Sequence, residues 1–333
     1  MKSLEKLEID IQLHKFRDDL EEIWDDFVYT KAKNSTFLHS RKFYNHNQLN
    51  KVDDCSLLFL KKNKVIALFP AILSESDDDK VLYSHKRSTY GGFIFSNEIS
   101  IADLDLVLTL LIDYVKAESI SQIIVRPTFS IYHKTLSQEI DYLIWKNGFS
   151  IKSRELELAI DLRLDFENLY ADSTKRSIKK AMKAGVMVQE SEDLKSYWKI
   201  LEKNLAEKHQ TSPVHSIQDI NLLRTLVGKE KLRLFTARLD ENIIAGILTF
   251  VANENVLHAQ YIAFDNAFQD FRPLNAVIDH IAKKAREEQF SYFNLGMVTE
   301  PGGHEFNEGL CRFKEGFGAR GVLRETMQLI LKP

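Results

Sequence analysis

The two halves of this chain repeat each other, and this repeat constrains the fold more than any other feature of the sequence. Short segments of the first half have counterparts in the second half, in the same order and at similar spacing. A repeat that runs through a whole chain is typical of a duplicated structural unit, so we expect two copies of one fold. The matched segments are 19–24 with 193–198, 64–67 with 242–245, 120–123 with 290–293, and 145–149 with 313–317.

Each half predicts the same order of elements: an amphipathic helix, three consecutive strands joined by hairpins, a helix, a strand, a short helix and a final strand. The second helix of the second half begins with Pro273 and has an apolar face that includes Val277 and Ile281. The pattern predicts an α/β protein of layered α+β type, in which two tandem units each have a mixed, mainly antiparallel sheet flanked by helices. In the second half we expect the elements at 192–208, 232–238, 243–252, 255–264, 273–289, 291–296, 307–315 and 321–331.

The length of the chain also favours two domains. A single hydrophobic core rarely serves 333 residues, so we place one unit at 1–158 and the other at 159–333. The 45 basic and 48 acidic side chains give a formal charge of −3 and are spread evenly over both halves. This balance is not that of a DNA-binding protein.

The cysteines and the N-terminal residues predict a cytoplasmic protein. Cys55 and Cys311 fall in different predicted units, so we expect no disulfide framework. The first residues carry charges throughout, and no later run approaches the roughly 18 apolar residues of a membrane span. No spacing of histidine, cysteine and carboxylate side chains indicates a metal site.

The segment 293–320 carries the most specific motif. It contains Asn294-Leu295-Gly296 at the end of a predicted strand, followed by Arg312-Phe313-Lys314 and Gly316-Phe317-Gly318 on a short helix. This pattern resembles the closing signature of the FemABX-like branch of the GNAT acyltransferases. The order of elements in both halves also resembles the GNAT order.

The resemblance implies transfer of an acyl or aminoacyl group to an amine, with the donor in the second unit. It implies no tightly bound cofactor, since acyl-CoA or aminoacyl-tRNA acts as a co-substrate. The acceptor would be a small molecule or a cell-wall precursor. The other hypothesis is a non-catalytic binding protein that retains the scaffold.

Three residues are candidates for catalysis. By resemblance, Lys314 lies at the donor site beside Phe313 and stabilises developing negative charge. The pattern alone favours a different interpretation, a solvated lysine on a helix that Phe313 and Phe317 hold against the core. Tyr261, near the end of a predicted strand, is expected either to donate to the donor carbonyl or to pack.

The loop 265–275 stands where typical GNAT enzymes hold the pyrophosphate of coenzyme A on a glycine-rich turn. This loop contains no glycine, and Arg272 and Leu274 occupy the positions of the glycines. The departure counts against ordinary acetyl-CoA binding and is tolerated in FemABX-like proteins that use aminoacyl-tRNA. The candidate donor-binding residues are Gln269, Arg272, Asn275, Asn294, Gly296 and Arg312.

A basic cluster follows at the start of the second unit. Lys175, Arg176, Lys179 and Lys180 lie on one predicted helix that ends near Gly185. The cluster is expected to contact phosphate groups of tRNA, coenzyme A or a nucleotide-linked acceptor. The alternative is an ordinary solvated helix face.

The acceptor is expected at a loop of the first unit that combines basic side chains with a glycine pair. The Tyr-Gly-Gly sequence in this loop also resembles the family, although an ordinary strand exit would look the same. The general base is left open among His209, His215, Asp265, His304, Glu305 and Glu308. The candidate acceptor-binding residues are Lys86, Arg87, Tyr90, Gly91, Gly92 and His209.

Overall fold

The computed structural model describes residues 10–45, 53–75, 79–84 and 88–331. The chain divides into two compact units, one formed by Met1–Arg154 with Arg324–Pro333 and the other by Glu155–Leu323. The predicted boundary at 158/159 lies close to the central division. The assignment of the last residues to the first unit was not expected from the sequence.

The first unit contains two groups of strands. The elements in chain order are β1 (Ile11–Lys15), α1 (Glu21–Asp26), α2 (Arg41–Asn45), β2 (Asp53–Asp54), β3 (Leu57–Lys61), β4 (Lys64–Phe69), β5 (Ile72–Glu75), β6 (Lys80–Tyr83), β7 (Ile94–Phe95), α3 (Ile101–Ala117), β8 (Gln122–Val125), α4 (Glu139–Lys146) and β9 (Ser150–Asp161). One sheet has the order β1-β3-β4-β7; in the other, β8, β6, β5 and β2 are successive neighbours, and β6 runs parallel to β8.

The three consecutive hairpin strands predicted for this unit do not form one sheet. The β3–β4 hairpin is present, and its turn residues Lys62 and Asn63 have φ values of 50° and 62°, which suit the twist of a tight hairpin. After β4, however, Pro70 lacks a backbone N–H and cannot continue the ladder, and the next strand, β5, belongs to the other sheet.

The elements that follow β9 are α5 (Asp172–Lys183), β10 (Met187–Ser191), α6 (Leu194–His209), α7 (Ile217–Val227), β11 (Leu232–Leu239), β12 (Asn242–Val251), β13 (Val256–Phe264), α8 (Pro273–Glu287), β14 (Tyr292–Met297), α9 (Glu308–Glu315) and β15 (Arg320–Ile330). In the second unit the strands have the order β10-β11-β12-β13-β14-β9. Neighbouring strands are antiparallel except for β13 and β14, which run parallel.

The predicted elements of the second unit agree with the observed ones to within a few residues, and α8 begins at Pro273 as expected. The face of α8 predicted to be apolar is buried at Val277, Ile278, Ile281 and Ala285. Strand β10 and helix α7 were not predicted. None of the helices within the described ranges is long and apolar enough to cross a membrane.

Candidate active site

A cavity opens in the second unit where β13 and β14 separate. These parallel strands pair only at 256–258 with 292–294 and then diverge. Ile262 of β13 and Leu295 of β14 border the resulting cavity, which has a volume of about 770 Å³. The start of α8 and one face of α9 complete its wall. The divergence therefore provides a ligand-sized space inside one unit.

Lys314 of α9 lines this cavity and is buried, with 4% of its surface exposed. Its Nζ donates to the carbonyl oxygens of Gly296 at 2.9 Å and Met297 at 2.8 Å. Burial lowers the pKa of Lys314 to about 8, while the negative charge of Glu157 opposes that shift. The pattern-based interpretation of Lys314 as a solvated surface lysine is therefore wrong.

When Lys314 is protonated, one of its hydrogens is left to donate to a ligand. A protonated amine has three hydrogens, and two of them are used on carbonyl oxygens of β14. In the described part of the chain no further hydrogen-bond acceptor of Lys314 is found. With a pKa of about 8 the side chain is mostly protonated at neutral pH. The cavity thus contains a positive charge with one hydrogen to give.

Asn294 and Gly296 shape the strand end that receives Lys314. The Asn294 side chain is fully buried, donates to Glu157 Oε2 at 2.7 Å and accepts from the Gly296 N–H at 2.8 Å. Gly296 has a φ of +80°, which L side chains rarely adopt. The Gly296 carbonyl oxygen accepts from Lys314, and Asn294 stabilises this backbone conformation through its hydrogen bond to the Gly296 N–H. Asn294 does not border the cavity.

The rest of α9 supplies an apolar wall and an exposed charge. The Phe313 ring borders the cavity and meets Phe317 edge to face at 5.4 Å. The Arg312 side chain points to solvent and pairs with Glu308 at 2.7 Å. Asn307 caps the helix by accepting from the Leu310 N–H at 2.9 Å. Of the Arg312-Phe313-Lys314 run, only the last two residues face the cavity.

The loop before α8 forms the mouth of the cavity, and Gln269, Arg272 and Asn275 all border it. Arg272 is exposed and has a left-handed backbone, with φ 55° and ψ 41°. Within the described ranges it forms no ion pair. Pro273 contributes no N–H, and the Asn275 N–H donates to the Arg272 carbonyl at 3.1 Å. The mouth therefore offers a guanidinium group rather than a row of free backbone amides.

Tyr261 lies on β13 but on the opposite face from the cavity. A bulge at Gln260 separates the pairing of Ala259 from that of Tyr261. The Tyr261 ring packs edge to face on Trp198 of α6, and its hydroxyl lies 2.7 Å from His215 Nδ1. Burial raises the pKa of Tyr261 above its ordinary value. Bulges often re-aim side chains beside active sites.

The basic cluster lies on α5, and none of its four residues borders the cavity. Arg176, Lys179 and Lys180 are exposed and Lys175 is half-buried. None of the four forms an ion pair with another described residue. Gly185, with a φ of +83°, follows the helix as predicted.

In the first unit, the Tyr-Gly-Gly loop is tightly packed. Tyr90 is 1% exposed, and its ring contacts His39, Phe129 and Tyr132. A Cβ atom on Gly91 would come within 1.9 Å of the Ser84 carbonyl oxygen. Gly92 requires a positive φ, +81°. The packing explains these residue types without a ligand, so their role in acceptor binding stays a prediction.

The other acceptor candidates lie outside what the structure describes. Lys86 and Arg87 fall outside the described residues. His209 ends α6, but its side chain is not among those described. These predictions also stay untested.

Sequence reasoning did not identify several residues that border the cavity, among them Asn204, Ile262, Phe264 and Asn307. Asn204 of α6 donates to the Phe264 carbonyl at 3.0 Å, and no motif marks it. Asn307 had a signal, because an asparagine before an apolar helical run is typical of a helix cap. Glu157, which orients Asn294, was also missed.

Comparisons with known proteins agree with this architecture. Residues 171–315 match the family model of the acetyltransferase (GNAT) domain. No curated protein matches the sequence significantly. The structure of FemX has a TM-score of 0.71 at 15% identity and covers 96% of this chain and 97% of its own.

Two more solved structures share the fold. A tandem GNAT protein from the clavulanic acid biosynthesis pathway has a TM-score of 0.51 at 9% identity and covers 97% of this chain and 99% of its own. L-PGS from Bacillus licheniformis has a TM-score of 0.51 at 12% identity and covers 80% and 81%. At these identities the likeness concerns the fold alone.

Proposed function

We propose that this chain, which has the FemABX-like tandem GNAT fold and an acetyltransferase (GNAT) domain at residues 171–315, is an N-acyltransferase that acts on an amine. The fold predicted from the sequence is confirmed, and the resemblance to FemABX-like GNAT proteins is confirmed at the level of the fold. What is proposed beyond the fold is the catalysis of acyl transfer to an amine. It is supported above all by the burial of Lys314 at the cavity between the separating strands.

In the proposed reaction the amine nitrogen attacks the carbonyl carbon of an activated acyl group, and the carbonyl π electrons move to oxygen. The tetrahedral intermediate then expels a thiolate or a ribose alkoxide, and the proton that the amine nitrogen gives up ends on this leaving group. Lys314, already fixed by two carbonyl oxygens, donates its remaining hydrogen to the developing oxyanion. A preorganised donor of this kind contributes about 10²- to 10³-fold to the rate.

The donor is proposed to enter along α8, with Arg272 and Gln269 at the mouth and Phe313 against the acyl chain. Two donor classes stay in the proposal. The glycine-free loop and Pro273 favour aminoacyl-tRNA, because a pyrophosphate would find few free amides there. The GNAT domain match favours acyl-CoA. The α5 cluster is proposed to contact donor phosphates in either case.

The acceptor is proposed to be a small-molecule or cell-wall-precursor amine, and the reaction is proposed to take place in the cytoplasm. A reducing compartment suits Cys55 and Cys311, which form no disulfide.

A donor screen tests the proposal. We expect one of acetyl-CoA, octanoyl-CoA and alanyl-tRNA to raise the Tm of the full chain and to give an acylated product, by mass spectrometry, with L-lysine or glucosamine. A rise in Tm without product for any pair would favour the non-catalytic binding protein. Neither a shift nor a product would count against both hypotheses.

A further inference from the structure

The internal repeat also includes a set of three side chains that none of the motifs described above combines. Each unit has a tryptophan on a helix, α1 in the first unit and α6 in the second, then a His-Ser pair immediately before the next helix, and a tyrosine further along the chain. The order is the same in both units and the spacing is similar. The two sets are Trp24, His39 and Tyr90 in the first unit, and Trp198, His215 and Tyr261 in the second.

In the first unit the three side chains are sealed in the interior. Trp24 and His39 are 0% exposed and Tyr90 is 1% exposed. The Trp24 indole donates to the His39 carbonyl oxygen at 2.7 Å, and His39 Nε2 lies 3.3 Å from the Gly91 carbonyl oxygen. Burial lowers the pKa of His39 to about 4. This imidazole is neutral near pH 7 and packs as part of the core.

In the second unit the same set is open. His215 and Tyr261 are both half-buried, and only Trp198 remains in the core. His215 Nδ1 lies 2.7 Å from the Tyr261 hydroxyl oxygen, and the His215 backbone N–H donates to that oxygen at 3.2 Å. The histidine and tyrosine are thus directly hydrogen-bonded where solvent reaches them, unlike the sealed pair of the first unit.

The hydrogen-bond inventory is compatible with Tyr261 donating its hydrogen to His215 Nδ1. A phenolic oxygen has one hydrogen and two lone pairs. The His215 backbone N–H occupies one lone pair. If Tyr261 gives its hydrogen to Nδ1, the imidazole carries its own hydrogen on Nε2. The second lone pair then faces the Gln260 side chain, which also hydrogen-bonds to this hydroxyl, and an incoming amine displaces Gln260 to reach it. A proton taken up by the hydroxyl can then pass to His215.

The surroundings suit such a transfer. Burial is the largest cause that raises the pKa of Tyr261, so its hydroxyl stays protonated near neutral pH and acts by exchange rather than as a phenolate. The negative charge of Asp219 acts in the same direction on Tyr261. The carboxylate of Asp219 also accepts from Ser216, the residue after His215, and would stabilise an imidazolium beside it.

In the proposed transfer the reacting carbonyl lies in the cavity, whose lining on β13 begins one residue after Tyr261. Tyr261 adjoins Ile262, which borders the cavity, and the bulge at Gln260 turns Tyr261 to the other face of β13. Since β13 and β14 separate beyond 258 and 294, the sheet is open at this level. A carbonyl in the gap is approachable from the Lys314 side by the donor and from the Tyr261 side by the amine.

We infer that Tyr261 and His215 form the proton relay for the acceptor amine, with Tyr261 as the catalytic residue and His215 as the positioning residue that receives the proton. As the nitrogen bonds to the carbonyl carbon, its proton moves to the Tyr261 oxygen, and the Tyr261 hydrogen moves to His215 Nδ1. The imidazolium later returns one proton to the departing thiolate or ribose oxygen. Atoms and charges balance, and no further reactant is needed. The inference rests on the proposed acyl transfer.

Steady-state kinetics of the full chain test the relay, with the most active pair among acetyl-CoA, octanoyl-CoA or alanyl-tRNA and L-lysine or glucosamine. Tyr261→Phe keeps the ring contact with Trp198 but removes the hydroxyl. We expect it to lower kcat by about 10²-fold or more and to leave KM within about threefold. His215→Ala should lower kcat by about tenfold or more and regain part of it with added imidazole.

The first unit provides the matched control. His39→Gln changes the equivalent histidine and should lower Tm, because His39 is buried and hydrogen-bonded, yet leave kcat within about twofold. Unchanged kcat in Tyr261→Phe, with an active wild type, would overturn the relay alone. A wild-type chain inactive with every pair would overturn the acyl transfer and the relay with it.

An NMR measurement tests the relay independently of enzymatic activity. In ¹⁵N NMR of the imidazole, we expect His215 Nδ1 to be unprotonated and hydrogen-bonded, with the hydrogen on Nε2, and the Nδ1 signal to shift in Tyr261→Phe. A hydrogen on Nδ1 in the wild type would contradict the assigned direction and overturn the relay.

Discussion

Lys314 shows that a lysine on an amphipathic helix can be either solvated or buried. An amphipathic helix with a lysine every few positions favours a solvated side chain. Only the strand end at Gly296, whose carbonyl oxygen turns toward α9, makes burial of this lysine favourable. That conformation depends on Asn294 and Glu157, which come from two separate strands. Periodicity along α9 alone therefore could not have predicted it.

The first prediction at this scale concerns stability against pH. The folded-state pKa of Lys314 is lowered from 10.5 to about 8, so protonation opposes folding at pH below about 8. As the pH rises from 8 toward 10.5 the unfolded chain holds a proton that the folded chain has lost, and stability rises. Relative to Lys314→Met, the free energy of unfolding of the wild type should increase by about 3 kcal/mol across this window.

Urea denaturation of both chains at pH 7, 9 and 10 measures this difference. Other titrating groups are common to the two chains and largely cancel. A constant difference between wild type and Lys314→Met across the series would show that the Lys314 pKa is not lowered by burial.

The second residue-scale prediction concerns Asn294. Asn294→Asp replaces the amide that donates to Glu157 by a second carboxyl group in a fully buried site. We expect a loss of about 3 kcal/mol or more in the free energy of unfolding at pH 7. The control is Asn307→Asp on the exposed cap of α9, where aspartate caps as well as asparagine, and the change should stay within about 0.5 kcal/mol. Equal effects of the two substitutions, measured by chemical denaturation, would remove the special role given to Asn294.

At the scale of elements, the sequence was most informative where apolar residues recur on a helix or strand that packs on one face. Helices α8 and α9 and strands β13 and β14 were predicted closely for this reason. Strand β10 was missed because most of its residues are exposed or half-buried, so it has little apolar signal. The separation of β13 from β14, which creates the cavity, is a matter of pairing between distant segments and has no local pattern.

Helix α5 carries the prediction that belongs to this scale. Reversing both charges in Lys179→Glu/Lys180→Glu should weaken binding of alanyl-tRNA or acyl-CoA by about tenfold at low salt, and the effect should shrink as salt is raised. The measurement is the Kd at two ionic strengths.

Helix α6 offers the matched control for α5. Lys195→Glu/Lys199→Glu makes the same change in net charge at two exposed positions of another helix. Equal weakening by both pairs would assign the effect to overall charge. If the substitutions on α5 do not weaken donor binding, the basic cluster is an ordinary solvated helix face.

At the scale of the whole molecule, the repeat predicted two units correctly, but it could not show how the chain is divided between them. The last residues, Arg324–Pro333, group with the first unit. There Met327 and Leu329 pair with β8 and pack against the core of that unit. The repeat also hid a difference in burial, because the histidine and tyrosine are buried in the first unit and half-buried in the second.

This division predicts the effect of a truncation. A chain that ends at Leu323 loses the strand that pairs with β8 together with three apolar side chains, Met327, Leu329 and Leu331, that pack against the first unit's core. We expect the Tm to fall by about 10 °C or more, since several kcal/mol of burial and pairing are lost. A chain that ends at Leu331 keeps this strand and serves as the control. Equal Tm values for the two truncated chains would contradict the division.

The most direct test of the central claim is the single-turnover rate of acyl transfer by the wild type and by Lys314→Met, with Lys229→Met as a control at an exposed position. The claim is that the buried ammonium group in the cavity stabilises the oxyanion. It predicts that Lys314→Met loses about 10²-fold or more in rate while the Lys229→Met rate stays within about twofold of the wild type. A folded Lys314→Met chain that transfers the acyl group as fast as the wild type would contradict the account.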